Sequence, residues 1–218
     1  MRTSFHNQLD SLTGQLAQMR DLAAHAMEKA TQELLDRDLP LAEDVISHDA
    51  DTDAMRLASE EKAHALLALQ APVAGDLRSI VTFVHVSEKI ERMGDLARHV
   101  AEQVRRHPDA AIPGDTRDSF GEMGRLAVVS ARAVRQLILT GEARYAELED
   151  ADDLIDRLEG HLLASASSND WPHGVRAGVD VALLARFFER YADQAVSVAR
   201  VTCSDQVPSG GTRRCTGR

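Results

Sequence analysis

The pentapeptide Glu91-Arg92-Met93-Gly94-Asp95 recurs 98 residues later as Glu189-Arg190-Tyr191-Ala192-Asp193. A near-repeat at that spacing means that one supersecondary unit has been used twice. Each copy falls late in a long run of helical apolar periodicity. Residues four apart on a helix share a face at ~5–6 Å between Cβ atoms, so each copy points two carboxylates the same way. Like charges placed so are mildly destabilising unless a cation lies between them.

The flanking sequence repeats as well. A shift of 98 superposes Arg78 on Arg176, Val81 on Val179, and Ala97, Val100 and Ala101 on Ala195, Val198 and Ala199. A shift of 103 brings Asp49 and Asp53 onto Asp152 and Asp156, with Val45 over Leu148. One change in loop length accounts for the difference between the two shifts.

Six helices are predicted, over about residues 4–36, 41–69, 73–106, 115–139, 142–166 and 173–203. In the first, Leu9, Leu12, Leu16, Met19, Ala23 and Met27 step by threes and fours, the mark of an amphipathic helix. Pro40 fits the first turn of the second, and Pro72 and Trp171-Pro172 open the third and the sixth. No segment alternates with period two, so the fold class is all-α: a tandem repeat of two three-helix bundles. The first spans 1–107 and the second 115–203, with a breaker-rich linker at 108–114. The Gly, Ser, Thr and Arg tail at 204–218 is expected to be disordered.

Composition agrees with this reading. Hydrophobic residues make up 44% and aromatics only 4%, which suits helices better than a β-sandwich. A net charge of −10 argues against nucleic acid as a partner, since that surface needs clustered cations. Cys203 and Cys215 both lie near the C-terminal end and make no disulfide framework, which suits a reducing compartment. The first residues lack an apolar signal core, and no run approaches eighteen apolar residues. A cytoplasmic protein that meets a membrane only through partners is the expectation.

The acids occupy positions that the pattern assigns to a packed face. Leu77, Ile80, Val81 and Val84 form a stripe that Glu91 and Asp95 continue, and Val175, Val179 and Ala182 run on to Glu189 and Asp193. The second helix steps Val45, Asp49, Asp53, Leu57, and the fifth Leu148, Asp152, Asp156. One acid pair alone would be a solvated face. Four pairs, matched through a repeat and aimed inward, call for cations, because burying unpaired carboxylates is costly. Oxygen donors of this kind suit Mg²⁺, Mn²⁺, Ca²⁺ or iron rather than a thiolate zinc site, and shared carboxylates can bridge several ions. One multinuclear cluster per repeat is expected: Asp49, Asp53, Glu91 and Asp95 in the first, Asp152, Asp156, Glu189 and Asp193 in the second.

Two other readings remain open. Glu61 and His64 have the Glu-x-x-His spacing of di-iron bundles, which need a second such motif on another helix. A ferritin-like di-iron oxidase or storage protein is therefore the enzymatic alternative, and a metal-independent helical adaptor the structural one. His85 and His99 read as packing or surface residues. Arg78 and Arg176 read as helix-surface arginines that could also clamp the carboxylates. No Gly-rich phosphate loop or nucleophile elbow is present, so no catalytic machinery is expected.

The acid pairs, doubled in a tandem three-helix repeat with Asp76-Leu77-Arg78 opening the third helix, resemble the PhoU family of bacterial phosphate-uptake regulators over about residues 4–202. The resemblance implies a pseudosymmetric six-helix protein, commonly a homodimer, with metal clusters held by the eight acids named above. It also implies a negative regulator of phosphate import and phosphate-starvation signalling. Its partners would be the importer's ATPase subunit and a phosphate-sensing histidine kinase. Two departures set the second repeat apart: Gly174 stands where the first has Asp76, and the fifth helix is shorter and more acidic than the second.

Overall fold

Helix ends in this chain fall where backbone chemistry puts them. The computed structural model describes residues 2–107, 111–140 and 145–205. Its helices are α1 (Arg2–Asp36), α2 (Leu39–Gln70), α3 (Gly75–Arg106), α4 (Arg117–Thr140), α5 (Tyr145–Ala166) and α6 (Gly174–Asp205), with one 3₁₀ turn at Gly114–Thr116. No strand occurs among the described residues. α1 stops at Arg37, which takes the left-handed conformation with φ 60°, a common way to end a helix. Asp38 then caps α2, its side chain accepting from the Leu41 amide at 3.2 Å, with Pro40 in the first turn. Ala71 and Ala74 are also left-handed, at φ 41° and 49°, so α3 opens at Gly75 rather than at the expected Val73. The expected start of the fifth helix at Glu142, the tail from 206 onward and linker residues 108–110 lie outside the described residues.

The repeats interlock through two helix pairs, α1 with α4 and α3 with α6. α3 and α6 run antiparallel: His99 stacks on Phe187 at 5.2 Å between ring centroids, and Gln103 donates to Asp180 at 2.6 Å. α1 and α4 cross where Gly124 meets Thr31. A Cβ on Gly124 would come within 2.3 Å of the Thr31 side chain, so only glycine allows this approach. One continuous core joins both halves, running through Met19 and Met27 of α1, Ile90 and Leu96 of α3, Phe120 of α4 and Phe188 of α6. Removing this apolar surface from water is the main stabilising term. Tyr191, fully buried, donates its hydroxyl to the Ala23 carbonyl at 3.2 Å and ties α6 to α1. Because α3 and α6 are antiparallel, the α2–α3 turn and the α5–α6 turn sit at opposite ends of the molecule.

The packed stripe differs from the expected one. In α3 it runs through Ile80, Phe83, Val86, Ile90, Met93 and Ala97, whereas Leu77 and Val81 are exposed. In α6, Val175 is 84% exposed and Val179 is exposed too. In α3 and α6 the row that carries Phe83, or Phe188 and Tyr191, is the one that faces the core. The acids follow the outer row, which places them on the flank of the packed face rather than at its centre.

Candidate metal centre

α2 and α3 form an antiparallel pair whose register brings Asp49 opposite Gly94 and Arg98. Gly94 faces α2 in this pair: a Cβ there would lie 3.8 Å from Asp49 Oδ1 and Thr52 Cγ2, in ordinary contact. Asp49, Asp53, Glu91 and Asp95 are all half-buried here, and their charges repel one another across the interface. The sequence reading missed the residue that answers this repulsion. Arg98 places Nε 2.7 Å from Asp49 Oδ2, Nη2 2.8 Å from Asp95 Oδ1 and Nη1 2.5 Å from Glu102 Oε1. Arg92 adds a second contact, Nη1 lying 2.9 Å from Asp95 Oδ2. The first repeat thus carries its own cation.

Titration follows this geometry. Burial pushes Asp95 up, but the hydrogen bonds and charges of Arg98 and Arg92 outweigh it and hold the carboxyl below its ordinary range. Asp49 is raised by burial in spite of Arg98, with Asp95 and Asp53 adding to the effect. Glu91 is raised by burial and by Asp95, against the pull of Arg56.

The second repeat lacks the equivalent guanidinium. The residue in register with Arg98 is Val196, which is buried in the core. Asp152 on α5 therefore has its Oδ1 buried without a hydrogen-bond partner. Glu189 on α6 is only 8% exposed. Its Oε2 lies 2.8 Å from Arg186 Nη1, yet without the alignment of a hydrogen bond. Burial, then the charges of Asp156 and Asp193, push Asp152 up to about 6. Burial and then Asp193 push Glu189 up to about 7, against Arg186. Asp156 is raised by burial and by Asp193.

Six of the eight acids are half-buried or buried, while Asp156 and Asp193 are exposed, so the expectation that all eight aim inward is corrected for these two. Asp156 lies on α5 and Asp193 on α6. No three acid, histidine or cysteine side chains among the described residues converge into a ready-made ion cage. The donor chemistry nonetheless fits a hard cation, since the second site offers oxygen donors alone and two of them are buried without hydrogen bonds. Cation binding there would draw in the side chains of Asp156 and Asp193.

The remaining motif residues lie elsewhere. Glu61 and His64 are exposed on α2, and His85 is exposed on α3. His99 packs on Phe187. Arg78 and Arg176 are exposed. Cys203 is buried near the end of α6. No helix among the described residues is long and apolar enough to cross a membrane.

Comparison with known proteins adds the following. The PhoU domain matches residues 16–104 and again 120–202. The phosphate-specific transport system accessory protein PhoU homolog 2 of Mycobacterium tuberculosis is 48% identical over 92% of this chain and 95% of its own. PhoU homolog 1 of Mycobacterium leprae is 46% identical over 92% of this chain and 91% of its own. The crystal structure of PhoU from Pseudomonas aeruginosa superposes with a TM-score of 0.85 at 21% identity, covering 92% of this chain and 98% of that one.

Proposed function

This chain belongs to the PhoU family, and from that premise we propose that it is a non-enzymatic accessory regulator of a phosphate-specific transport system. The observation that carries this reading is the 48% identity, over nearly the full length of both chains, to a protein of that description. The regulator acts negatively from the cytoplasm, as a homodimer. It contacts the importer's ATPase subunit and a phosphate-sensing histidine kinase.

The acid-lined flanks supply the regulated element. In the second repeat Asp152, Asp156, Glu189 and Asp193 would hold Mg²⁺, Mn²⁺ or iron, which supplies the positive charge that Val196 cannot. Neutralising those carboxylates ties α5 to α6 and fixes the outer face offered to partners. In the first repeat Arg98 does this work with no ion, so Asp49, Asp53, Glu91 and Asp95 bind metal only by displacing the guanidinium. The geometry around Arg98 thus favours the metal-independent adaptor reading for that half.

Deleting the gene should raise phosphate uptake and switch on phosphate-starvation genes in cells grown with ample phosphate, and the intact gene should reverse both. Normal repression in the deletion strain would reject the proposal.

A further inference from the structure

Glu33 lies in the last turn of α1 and is 0% exposed. Both of its carboxylate oxygens are buried without a hydrogen-bond partner. Glu189, the other buried acid among the described residues, has Arg186 Nη1 at 2.8 Å. Glu33 has no such cation among the described residues. A carboxyl placed so is costly to ionise, whereas the neutral acid is tolerated.

The charges that face Glu33 add to this. Burial first, then Asp38 between the helices and Glu43 of α2, push its carboxyl up to about 8. The cations of the neighbouring elements are engaged with other acids. Lys29, one turn earlier on α1, bonds Asp44 at 2.5 Å. Arg105 of α3 lies 3.7 Å from Glu43 Oε2, and Arg117 of α4 lies 3.1 Å from Asp36 Oδ1. Arg37, one turn on, gives the Glu33 carboxylate no hydrogen bond.

The same residue closes a helix corner. The Glu33 carbonyl accepts from the Arg37 amide at 2.7 Å, the bond that ends α1. Arg37 is left-handed, and the Asp38 carbonyl then accepts from the Leu41 and Ala42 amides at 3.0 and 3.2 Å as α2 begins. Only residues 37 and 38 separate the two helices. Helix ends open at a lower free-energy cost than the core.

We propose that Glu33 is a proton latch on the α1–α2 corner. Protonated, its side chain stays buried and the corner is shut. When the proton leaves for solvent, the carboxylate moves out to water, and the last turn of α1 opens together with the first turn of α2. The latch therefore opens as pH rises. It uses none of the acids of the candidate metal centre and works with or without an ion there.

Amide hydrogen exchange of the full-length protein in EDTA tests this at pH 6 and pH 7, with rates corrected for the intrinsic pH dependence of exchange. The closed corner keeps its proton up to about pH 8, and the open one loses it above about 4.5. The opening constant at Arg37, Leu41 and Ala42 should thus rise about tenfold between the two pH values. These amides should also exchange faster than those of Leu126 and Val134 in α4 and be insensitive to low urea, the marks of local rather than global opening. Glu33→Gln keeps the shape and cannot ionise, so its corner should open equally at both pH values. The Glu33 carboxyl carbon, assigned by its loss in that variant, should show the NMR shift of a neutral acid at pH 7. An ionised carboxyl at pH 6, the same pH dependence in E33Q, or corner amides as slow and as urea-sensitive as those of α4 would overturn the proposal.

Discussion

Arg98 and Val196 stand in register in the two repeats, each three residues beyond the second acid of its pentapeptide. One bridges Asp49 and Asp95 across the α2–α3 interface, and the other is buried apolar packing. Near-identical acid sets therefore sit in different electrostatic surroundings, and the two halves should respond differently to cations.

Removing Arg98 should convert the first repeat into the second. Arg98→Ala leaves Asp49 and Asp95 half-buried without their main partner, at a cost of about 1–3 kcal/mol. The melting temperature in EDTA should fall, and Mn²⁺ should recover most of the loss. A fall that Mn²⁺ leaves unchanged would show that an ion cannot stand in for the guanidinium.

Asp152 and Glu189 titrate at about 6 and about 7, above their ordinary carboxylate values. The folded chain then holds protons that the unfolded chain releases. Stability from these groups is full below about pH 4 and is lost as pH rises through 6 to 7. In chelator the protein should melt lower at pH 8 than at pH 5.5, and the Asp152→Asn/Glu189→Gln double variant should narrow that gap. Mn²⁺ needs the deprotonated forms, so its affinity, measured calorimetrically, should rise over the same interval and vanish in the double variant. Affinity that is flat across pH would remove both residues from the site.

Glu33 of α1 is 0% exposed, and both its carboxylate oxygens lack hydrogen-bond partners. Burial, with Asp38 and Glu43 adding repulsion, pushes it up to about 8. The sign is the same: stability is full below about pH 4.5 and is lost as pH rises through 8. Glu33→Gln should raise the melting temperature at pH 8.5 and change it little at pH 5. Equal shifts at both pH values would mean that Glu33 does not ionise in the folded protein.

Two glycines in helix interiors should behave in opposite ways. Gly124→Ala drives a methyl into Thr31, whose hydroxyl is bound to the Met27 carbonyl at 2.8 Å, and should cost about 1–3 kcal/mol by overpacking. Gly94→Ala meets only ordinary contacts at 3.8 Å, and its counterpart in the second repeat is already Ala192. It should be neutral or gain up to ~1 kcal/mol from helix propensity. Urea denaturation of both variants checks the pair.

The helices were legible because their punctuation is local: Asp38 and Pro40 open α2 within four residues of sequence. The acid pairs were legible for the same reason, being four apart on single helices. What could not be read was anything set by register between helices. Arg98 bonds Asp95 on its own helix, a signal available in sequence, but its bridge to Asp49 depends on how α2 slides against α3. The core face of α3 was misjudged because Leu77 and Val81 mimic a buried stripe, and only packing against α1 and α6 selects the row of Phe83 and Ile90. Val196 carries no mark of its own, and its meaning comes from the residue that it replaces.

The antiparallel course of α3 and α6 sets a span. A helix of 32 residues measures about 48 Å at 1.5 Å per residue, and the two hairpin tips lie at its far extremes. A contact made at one tip leaves the other open, so a single copy presents two separate ends at once.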